Sequence, residues 1–362
     1  MPIQKSKKKF AMTTIQVKAS KPYDVTIGLG ASKNAPNFIR TALGDVDKIA
    51  VVTDSTVDTL HADRIMSNFI SEKFNVDKFV FPAGEGSKNL STYASLIDFL
   101  ANKHLGRKDL LLALGGGVTG DIAGFAAATY KRGIRFIQMP TTLLAMVDSS
   151  VGGKTGVDIS AGKNLVGAFH QPSAVFCDLD YLATLPKEWR MDGMGEVLKY
   201  AVLGDVALFN RLEANPLSLI GEQEIASCID MKRRIVEADE HESGERKLLN
   251  LGHTFAHAIE LLSDFKISHG HAVATGIAVA ARMAEKLTLL NHSDAVRIES
   301  LVSTMGYKTR VDFSAEDITN AILSDKKVEG NAVDMVFPVS IGRCVIEKIL
   351  LAELTKAIGD AL

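Results

Sequence analysis

The sequence lacks three features that would place it in a specialised class of protein. Only three of its 362 residues are cysteine, its net charge is just −2, and no apolar run reaches the roughly 18–20 residues that cross a bilayer. Cys177, Cys228 and Cys344 are odd in number and share no C-x-x-C pair, which favours reduced thiols over a disulfide scaffold. The near-neutral charge gives no reason to expect a nucleic-acid partner. We therefore expect a cytoplasmic protein with no nucleic-acid and no membrane partner.

Length and composition predict about two domains. The chain is 46% hydrophobic and 23% charged, which is ordinary for a globular protein. Residues 1–12 are basic at their start and have no apolar core of a signal peptide, so we expect a disordered extension there. We place an α/β domain over residues 13–186 and a mainly helical domain over 187–362.

Strand and helix patterns alternate through the first half of the chain. Apolar runs predict strands at 48–54, 78–82, 110–114 and 134–139, and helical periodicity predicts helices at 57–74, 91–104 and 118–130. Strands separated by helices imply a parallel sheet with right-handed crossovers.

The strand signal fades after about residue 186. Helical periodicity covers 194–211, 225–240, 253–262 and 272–290, and a late hairpin is expected at 335–341 and 343–347. The predicted fold class is an α/β N-terminal domain with a parallel-type sheet, followed by a mainly α-helical domain.

A glycine-rich turn joins one predicted strand to the next helix. Gly115, Gly117 and Gly120 satisfy G-x-G-x-x-G, a turn whose helix N-terminus suits a phosphate. The acid expected after the following strand is absent, because that strand runs into Pro140. A turn with a purely structural function therefore remains an alternative. An acid does end an earlier strand: Asp54 either binds a ligand or caps a helix.

Lysines close to glycines form a second polar region. Lys154, Lys163 and Asn164 lie among glycines that let a backbone approach a ligand, which favours a phosphate cradle over chance surface loops. Glu85 and Lys88 share an earlier turn-rich segment and are either a solvated pair or a grip on a polar ligand.

A set of one glutamate and three histidines in the second half of the chain is a candidate for metal binding. His253 and His257 are one helical turn apart, but the acid of the metalloprotease motif does not follow His253, so the pair alone is more often structural. A third histidine, His269, together with Glu196, shifts the balance towards a divalent metal with an open coordination position.

Long blocks of the sequence resemble the 3-dehydroquinate synthase family, which belongs to the sugar-phosphate cyclases. The blocks lie at 115–133, 140–156 and 248–260, and the resemblance runs from about Val51 to Gly342. It implies NAD and one divalent metal ion, zinc or cobalt, as cofactors, a phosphorylated keto-acid sugar as substrate, and a homodimer.

The resemblance also implies roles for individual residues. Metal ligands are Glu196, His253 and His269. Contacts to NAD are Asp54, Glu85, Lys88, Gly115, Gly116, Gly117, Gly120, Asp121, Thr141, Thr142, Lys154, Lys163 and Thr184. The implied ligands of the substrate phosphate are Lys154, Asn164, Asn250 and His257, with Arg132 from a second subunit and Lys326 or Lys327 from a late basic motif. The substrate carboxylate falls to Lys232 and Arg246, and Asp148 and Lys199 lie near its hydroxyls. Asp148, Lys199 and His257 are the expected catalytic residues.

The implied reaction starts from 3-deoxy-D-arabino-heptulosonate 7-phosphate. Transient oxidation by NAD, phosphate elimination, re-reduction and an aldol closure give 3-dehydroquinate, so the net class is a lyase. One alternative is a cyclase that makes an inosose or valiolone from a substrate without a carboxylate, which Lys232 and Arg246 oppose. Another is a metal- and NAD-dependent alcohol or glycerol dehydrogenase, which the phosphate cradle opposes. Two positions depart from the family pattern, His271 and Asp158, where Glu and Asn are frequent.

Overall fold

The computed structural model describes residues 12–216, 220–325 and 331–362, which form two compact units. The first unit contains the described residues up to Thr141, together with Gly153–Ile159 and Asn164–Thr184. The second contains Thr142–Gly152, Ser160–Lys163 and the described residues from 185 onwards. Most of the predicted N-terminal extension, as well as Lys326 and Lys327, lies outside the described residues.

The first half of the described chain supplies the strands of a mostly parallel sheet. In chain order the strands are β1 (Thr13–Val17), β2 (Tyr23–Gly28), β3 (Lys48–Asp54), β4 (Asn75–Phe81), β5 (Leu110–Gly115), β6 (Arg135–Pro140), β7 (Lys154–Ile159), β8 (Gly162–Phe169) and β9 (Ala174–Asp178). Seven of these described strands form one sheet in the order β1-β2-β9-β6-β5-β3-β4, while β7 pairs with β8. Only the β1–β2 pair of that sheet is antiparallel, so the predicted parallel sheet is confirmed.

Helices alternate with these strands. They are α1 (Ala35–Phe38), α2 (Ser55–Val57), α3 (Asp63–Ser71), α4 (Leu90–Asn102) and α5 (Gly117–Thr129). Central strands are covered on both faces and therefore read as unbroken apolar runs, as β5 does. A buried cluster that includes Val52, Leu100, Leu111, Ile122 and Phe136 joins the sheet to α4 and α5.

The second unit is mainly helical. Its helices are α6 (Lys187–Gly204), α7 (Val206–Ala214), α8 (Glu222–Ala238), α9 (His253–Leu262), α10 (His269–Lys286), α11 (His292–Thr304), α12 (Ala315–Asp325) and α13 (Leu351–Gly359). The antiparallel strands β10 (Ala332–Ser340) and β11 (Arg343–Leu350) form the late hairpin that the sequence predicts. None of the described helices is long and apolar enough to span a membrane.

Most predicted elements are present, with shifted ends. Helix α9 has the predicted bounds, whereas the single helix predicted over 194–211 is wrong. Asp205 divides that stretch: its backbone is not helical, and its Oδ1 accepts from the Leu208 N–H at 2.8 Å, which caps a new helix. Strands β1, β2, β7, β8 and β9 were not predicted.

Two glycines bring α6 and α10 into backbone contact. A Cβ on Gly270 would lie 1.7 Å from the Asp192 carbonyl oxygen, and one on Gly195 would lie 2.1 Å from the Gly270 carbonyl oxygen. The Asp192 carboxylate also accepts from the Gly270 N–H at 2.6 Å. This close approach fixes the start of α10 against α6.

Candidate metal and cofactor sites

Three side chains in the second unit, Glu196, His253 and His269, form a group that can hold a metal ion, and we call them the metal group. Glu196 lies within α6, and His253 and His269 are the first residues of α9 and α10. One ligand atom from each lies within 4.8 Å of the other two. Glu196 Oε1 is 3.3 Å from His253 Nε2 and 3.1 Å from His269 Nε2. One carboxylate and two imidazoles suit a divalent ion and leave coordination positions for a substrate.

Burial and neighbouring charges set the protonation of this group. Glu196 is 1% exposed; burial opposes its charge, but Lys199 and the histidines hold its pKa well below the usual range. Burial lowers the pKa of His253. Burial also opposes the charge of His269, yet hydrogen bonds to Glu196 and Glu260 raise its pKa to about 10. A divalent ion would therefore take the place of the proton on His269 Nε2, which faces Glu196 Oε1.

Charged side chains continue from the metal group to Asp148. Lys199 Nζ is 2.6 Å from Glu196 Oε2 and 3.2 Å from Asp148 Oδ1. Lys232 Nζ lies 3.0 Å from Asp148 Oδ2 and donates to the Asp148 carbonyl at 2.7 Å. The Tyr200 hydroxyl donates to Asp148 Oδ1. We call Glu196, Lys199, Asp148 and Lys232 the charge chain, since their charges alternate in sign along it.

Neighbouring members of the charge chain affect one another's pKa values. Burial disfavours ionised Asp148, but Lys199 and Lys232 keep its pKa below the usual range. Burial likewise opposes charged Lys199, and the two carboxylates raise its pKa. Lys232 differs, because burial lowers its pKa to about 8 and the charges of Lys199 and Arg246 add to that effect. Lys232 is therefore the cation of the chain that loses its proton most readily.

Arg246 is buried close to the charge chain. It is 1% exposed, and its guanidinium donates to the Gly152 carbonyl at 2.9 Å and to the Glu240 carbonyl. Gly152 has φ +99°, and a Cβ there would lie 2.6 Å from Arg246 Nη2, so glycine is needed for this approach. The two predicted carboxylate ligands, Lys232 and Arg246, thus lie within electrostatic range of each other.

His257 contacts the metal group, and Asn250 precedes His253 by three residues. The ring centroids of His257 and His253 are 5.8 Å apart, and the two ring planes are nearly perpendicular. Asn250, the last residue of a short 3₁₀ turn, donates from Nδ2 to Glu242 Oε1 at 3.2 Å.

Two residues implied as NAD contacts belong to the second unit. Lys163 Nζ lies 3.4 Å from Glu260 Oε1 and 4.3 Å from the centroid of the Phe265 ring. Thr142 Oγ1 accepts from the Ala145 N–H at 3.2 Å.

The other implied NAD contacts belong to the first unit, and the glycines among them lie at and after the end of β5. Gly115 ends that strand, Gly116 caps α5, and Gly117 begins the helix. A Cβ on Gly115 would lie 2.3 Å from Thr119 Oγ1, and one on Gly120 would lie 2.7 Å from Gln138 Oε1. The glycines therefore have a packing function as well as leaving the α5 N-terminus open to an anion.

Thr141 lies beside the same turn, since its N–H donates to the Gly115 carbonyl at 2.9 Å. Asp121, inside α5, lies 2.5 Å from Lys88 Nζ. Burial opposes the charge of Lys88, but Asp121 and Glu85 raise the pKa of Lys88. Glu85 itself is exposed on a short 3₁₀ turn.

Asp54 caps a helix, which is one of the two functions that its position in the sequence allows. Its Oδ1 accepts from the Thr56 and Val57 N–H groups at 2.9 and 3.0 Å. Both bonds use the same oxygen, so capping is compatible with a ligand on Oδ2. Elsewhere in this unit, Thr184 Oγ1 lies 2.9 Å from His61 Nε2.

The remaining implied substrate ligands of the first unit are exposed. Lys154 begins β7. Asn164 has φ +56°, and its N–H donates at 2.7 Å to Asp158, one of the two family departures. Arg132 has φ +66° in a short turn after α5.

The other departure, His271, is not a member of the metal group. Its Nδ1 lies 2.9 Å from Ser268 Oγ and 3.8 Å from Asp192 Oδ1.

Three further residues of this region were not predicted: Asp192, Tyr200 and Glu260. Helical spacing carried the signal, because Asp192 and Tyr200 lie four residues on either side of Glu196, and Glu260 lies three residues after His257.

Comparison with known proteins gives consistent matches. Family models described as 3-dehydroquinate synthase N-terminal and C-terminal match residues 78–191 and 193–328. A 3-dehydroquinate synthase of Caulobacter vibrioides is 43% identical over 340 residues, 90% of this chain and 92% of that protein.

Two solved structures share the fold at 26% identity. A 2-deoxy-scyllo-inosose synthase complexed with carbaglucose-6-phosphate, NAD⁺ and Co²⁺ has a TM-score of 0.87 and covers 97% of this chain and 100% of its own. A 2-epi-5-epi-valiolone synthase of Streptomyces hygroscopicus with NAD⁺ and Zn²⁺ has a TM-score of 0.83 and covers 93% of this chain and 95% of its own.

Proposed function

The chain belongs to the 3-dehydroquinate synthase family, and we infer that it converts 3-deoxy-D-arabino-heptulosonate 7-phosphate to 3-dehydroquinate and phosphate. It is an enzyme of this type, a carbon–oxygen lyase, and acts on a small sugar phosphate. When bound, NAD supplies a hydride acceptor that is regenerated, and a divalent ion polarises the reacting alcohol.

The metal group fits a divalent ion by the chemistry and spacing of its donors. Glu196, His253 and His269 would hold the ion, with both Nε2 atoms already directed at one carboxylate oxygen. For NAD, the α5 N-terminus would take the pyrophosphate and Asp54 Oδ2 a ribose hydroxyl. Lys88, Thr141 and the other implied contacts would hold the remainder.

The charge chain supports substrate binding next to the metal group. Lys199 Nζ can donate to a substrate hydroxyl while Glu196 and Asp148 keep it protonated. Asp148, which Tyr200 and Lys232 hold in place, can accept a hydrogen bond from a substrate hydroxyl. Lys154, Asn164, Asn250 and His257 are proposed as phosphate ligands, with Lys326 from outside the described residues.

The buried cations Lys232 and Arg246 are the observation that carries the choice of substrate. A guanidinium offers a planar pair of donors that matches a carboxylate, and a nearby ammonium adds a second charge. Lys232 also holds Asp148, so the choice of substrate depends chiefly on Arg246, whose planar donors match a carboxylate. The keto-acid sugar phosphate is therefore the better candidate.

The test is substrate choice. We would measure kcat/KM for the wild type, Arg246→Lys and Arg246→Ala on the keto-acid phosphate and on a heptulose phosphate without the carboxylate. A charge-assisted hydrogen bond contributes about 1.5–3 kcal/mol, so Arg246→Ala should lose at least roughly tenfold on the acid, and Arg246→Lys should recover part. A wild-type preference for the substrate without a carboxylate would point to an inosose- or valiolone-type cyclase instead. Lasting stoichiometric NADH would point to a dehydrogenase.

A homodimer is part of the proposal. The resemblance implies it through Arg132, which is exposed in a short turn and so accessible to a second copy. Mixing inactive Arg132→Ala with inactive Lys154→Ala subunits should restore some activity. No recovery despite verified subunit exchange would remove the shared site. A cytoplasmic location is proposed from the described cysteines, which are free thiols.

A further inference from the structure

The buried carboxylate of Glu260 faces His269 from the side opposite the metal group. Glu260 lies in α9 and is 6% exposed. Its Oε2 lies 3.5 Å from His269 Nδ1, and its Oε1 lies 3.4 Å from Lys163 Nζ. None of the proposed ligand roles uses this side chain.

The two metal-group histidines are oriented in the same way by different partners. Each directs Nε2 at Glu196 Oε1, at 3.3 Å from His253 and 3.1 Å from His269. The Nδ1 of His253 lies 3.2 Å from the Leu251 carbonyl, while the Nδ1 of His269 faces Glu260. One histidine is thus oriented by the backbone and the other by a side chain.

A neutral imidazole has one nitrogen that donates and one that accepts, and a metal ion needs the nitrogen without the proton. An acceptor at Nδ1 keeps the proton there and leaves the Nε2 lone pair for the ion. The Leu251 carbonyl does this for His253. A carboxylate does it more strongly, since a charged acceptor makes the stronger hydrogen bond.

We propose that Glu260 is a positioning residue for the metal site, holding the tautomer and ring orientation of His269 so that Nε2 coordinates the ion. The inference rests on the proposed metal site. Lys163 is a secondary partner of Glu260, because its side chain is about one-third exposed and also lies over the Phe265 ring.

The experiment is a metal titration of chelator-stripped protein, with Zn²⁺ in competition with a chromophoric chelator. The variants are Glu260→Leu, which removes the acceptor, and Glu260→Gln, which keeps an amide oxygen of similar shape. Glu285→Gln is the matched control, because Glu285 Oε1 lies 2.6 Å from Nδ1 of His292, away from the metal group. Circular dichroism of the stripped proteins checks folding.

Loss of an outer-shell partner of this kind typically weakens metal affinity about 10- to 100-fold, so we expect that loss for Glu260→Leu. Glu260→Gln should fall between Glu260→Leu and the wild type, and Glu285→Gln should match the wild type. The absorption spectrum of bound Co²⁺ should change in the Glu260 variants only, which a general loss of stability would not produce.

Wild-type affinity and an unchanged Co²⁺ spectrum in both Glu260 variants would overturn the inference and leave the metal site standing. An equal loss in Glu285→Gln would also overturn it. If Glu260→Leu does not fold, Glu260→Gln decides, with at least a threefold weakening expected. A wild type that binds no ion would remove the proposed metal site and this inference together.

Discussion

The candidate residues of the two units differ in how far they are organised without a ligand. In the first unit, Glu85, Lys154 and Asn164 are exposed on turns or at strand ends. In the second unit, Glu196 and Lys199 are buried and already paired. The three side chains of the first unit face solvent, although the same unit also contains the buried Lys88, which pairs with Asp121. The second unit holds a charge arrangement that the folded chain itself maintains.

The difference has a consequence for how each unit responds to mutation. A buried charge that loses its partner carries the full cost of its lost hydration, whereas an exposed one returns to water. Substitutions in the charge chain should therefore affect stability and activity together. Substitutions at the exposed residues of the first unit should affect ligand binding alone.

The largest effect is expected from loss of the metal group. Glu196→Ala should lower the rate of phosphate release by roughly a thousandfold or more, since a Lewis-acid ion contributes several kcal/mol and about 1.4 kcal/mol is tenfold. Elemental analysis of the purified variant should find little metal. Glu285→Ala is the control, because Glu285 is an acid of α10 outside the metal group. Full activity without bound metal would contradict the assignment.

Asp148→Ala tests whether the charge chain is part of the fold. The variant leaves Lys199 and Lys232 without the carboxylate between them, and breaking such a pair costs about 3 kcal/mol or more. Urea denaturation of metal-free protein measures the loss. Lys154→Ala in the first unit should stay within about 0.5 kcal/mol of the wild type.

Removing one of the stranded cations as well should restore stability to the charge chain. The double variant Asp148→Ala/Lys232→Met should be more stable than Asp148→Ala alone. If both single variants, Asp148→Ala and Lys154→Ala, lose equal stability, the contrast between the units fails.

Lys232 gives the charge chain a pH dependence. Because its pKa is about 8, the ammonium is charged below that pH and neutral above it. A neutral amine does not attract a carboxylate, so kcat/KM on the keto-acid phosphate should fall as pH rises through about 8. Lys232→Arg should move this decline to higher pH, since a guanidinium keeps its proton. Superimposable profiles from pH 6 to 10 would assign the decline to another group.

The smallest effects are expected at Asp54, where one side chain has two functions. Asp54→Asn keeps a capping oxygen but loses the charge, so NAD affinity should weaken by about tenfold, as loss of about 1.4 kcal/mol implies, and stability should hardly change. Asp54→Ala should in addition lose about 1 kcal/mol of stability. Calorimetric NAD titration and thermal melts separate the two. Unchanged NAD affinity in Asp54→Asn would leave Asp54 as a cap alone.

Local patterns were enough to predict the elements that carry most of the candidate residues. The periodicity of α9 gave its bounds, and the glycine turn at Gly115 was found from its position between strand and helix. The β7–β8 pair was missed because β8 is largely exposed and contains two glycines, so it produces no strong apolar signal. The helix break at Asp205 was missed because a single capping residue decides it.

Contacts between distant parts of the chain were beyond sequence patterns. Asp148 meets Lys199 and Lys232, which follow it by 51 and 84 residues, and no local spacing relates them. The resemblance named these residues as ligands but not as partners of one another. Glu260 could have been found, because it shares a helix face with His253 and His257.

The second unit is built from separate segments of the chain, and this affects the order in which its charges appear during synthesis. Asp148 belongs to a stretch that precedes the main body of that unit, and Lys232 follows it by 84 residues. At about 5–20 residues per second, the ribosome adds Lys232 roughly 4–17 seconds after Asp148. During that interval the acid has no second cation to meet. A fragment that begins at Leu185 would have the opposite fault, since Lys232 would lack Asp148 and Lys199 would keep only Glu196 of its two carboxylates. A fragment that begins at Thr142 would keep Asp148, but it would also carry the Gly153–Ile159 and Asn164–Thr184 segments of the first unit.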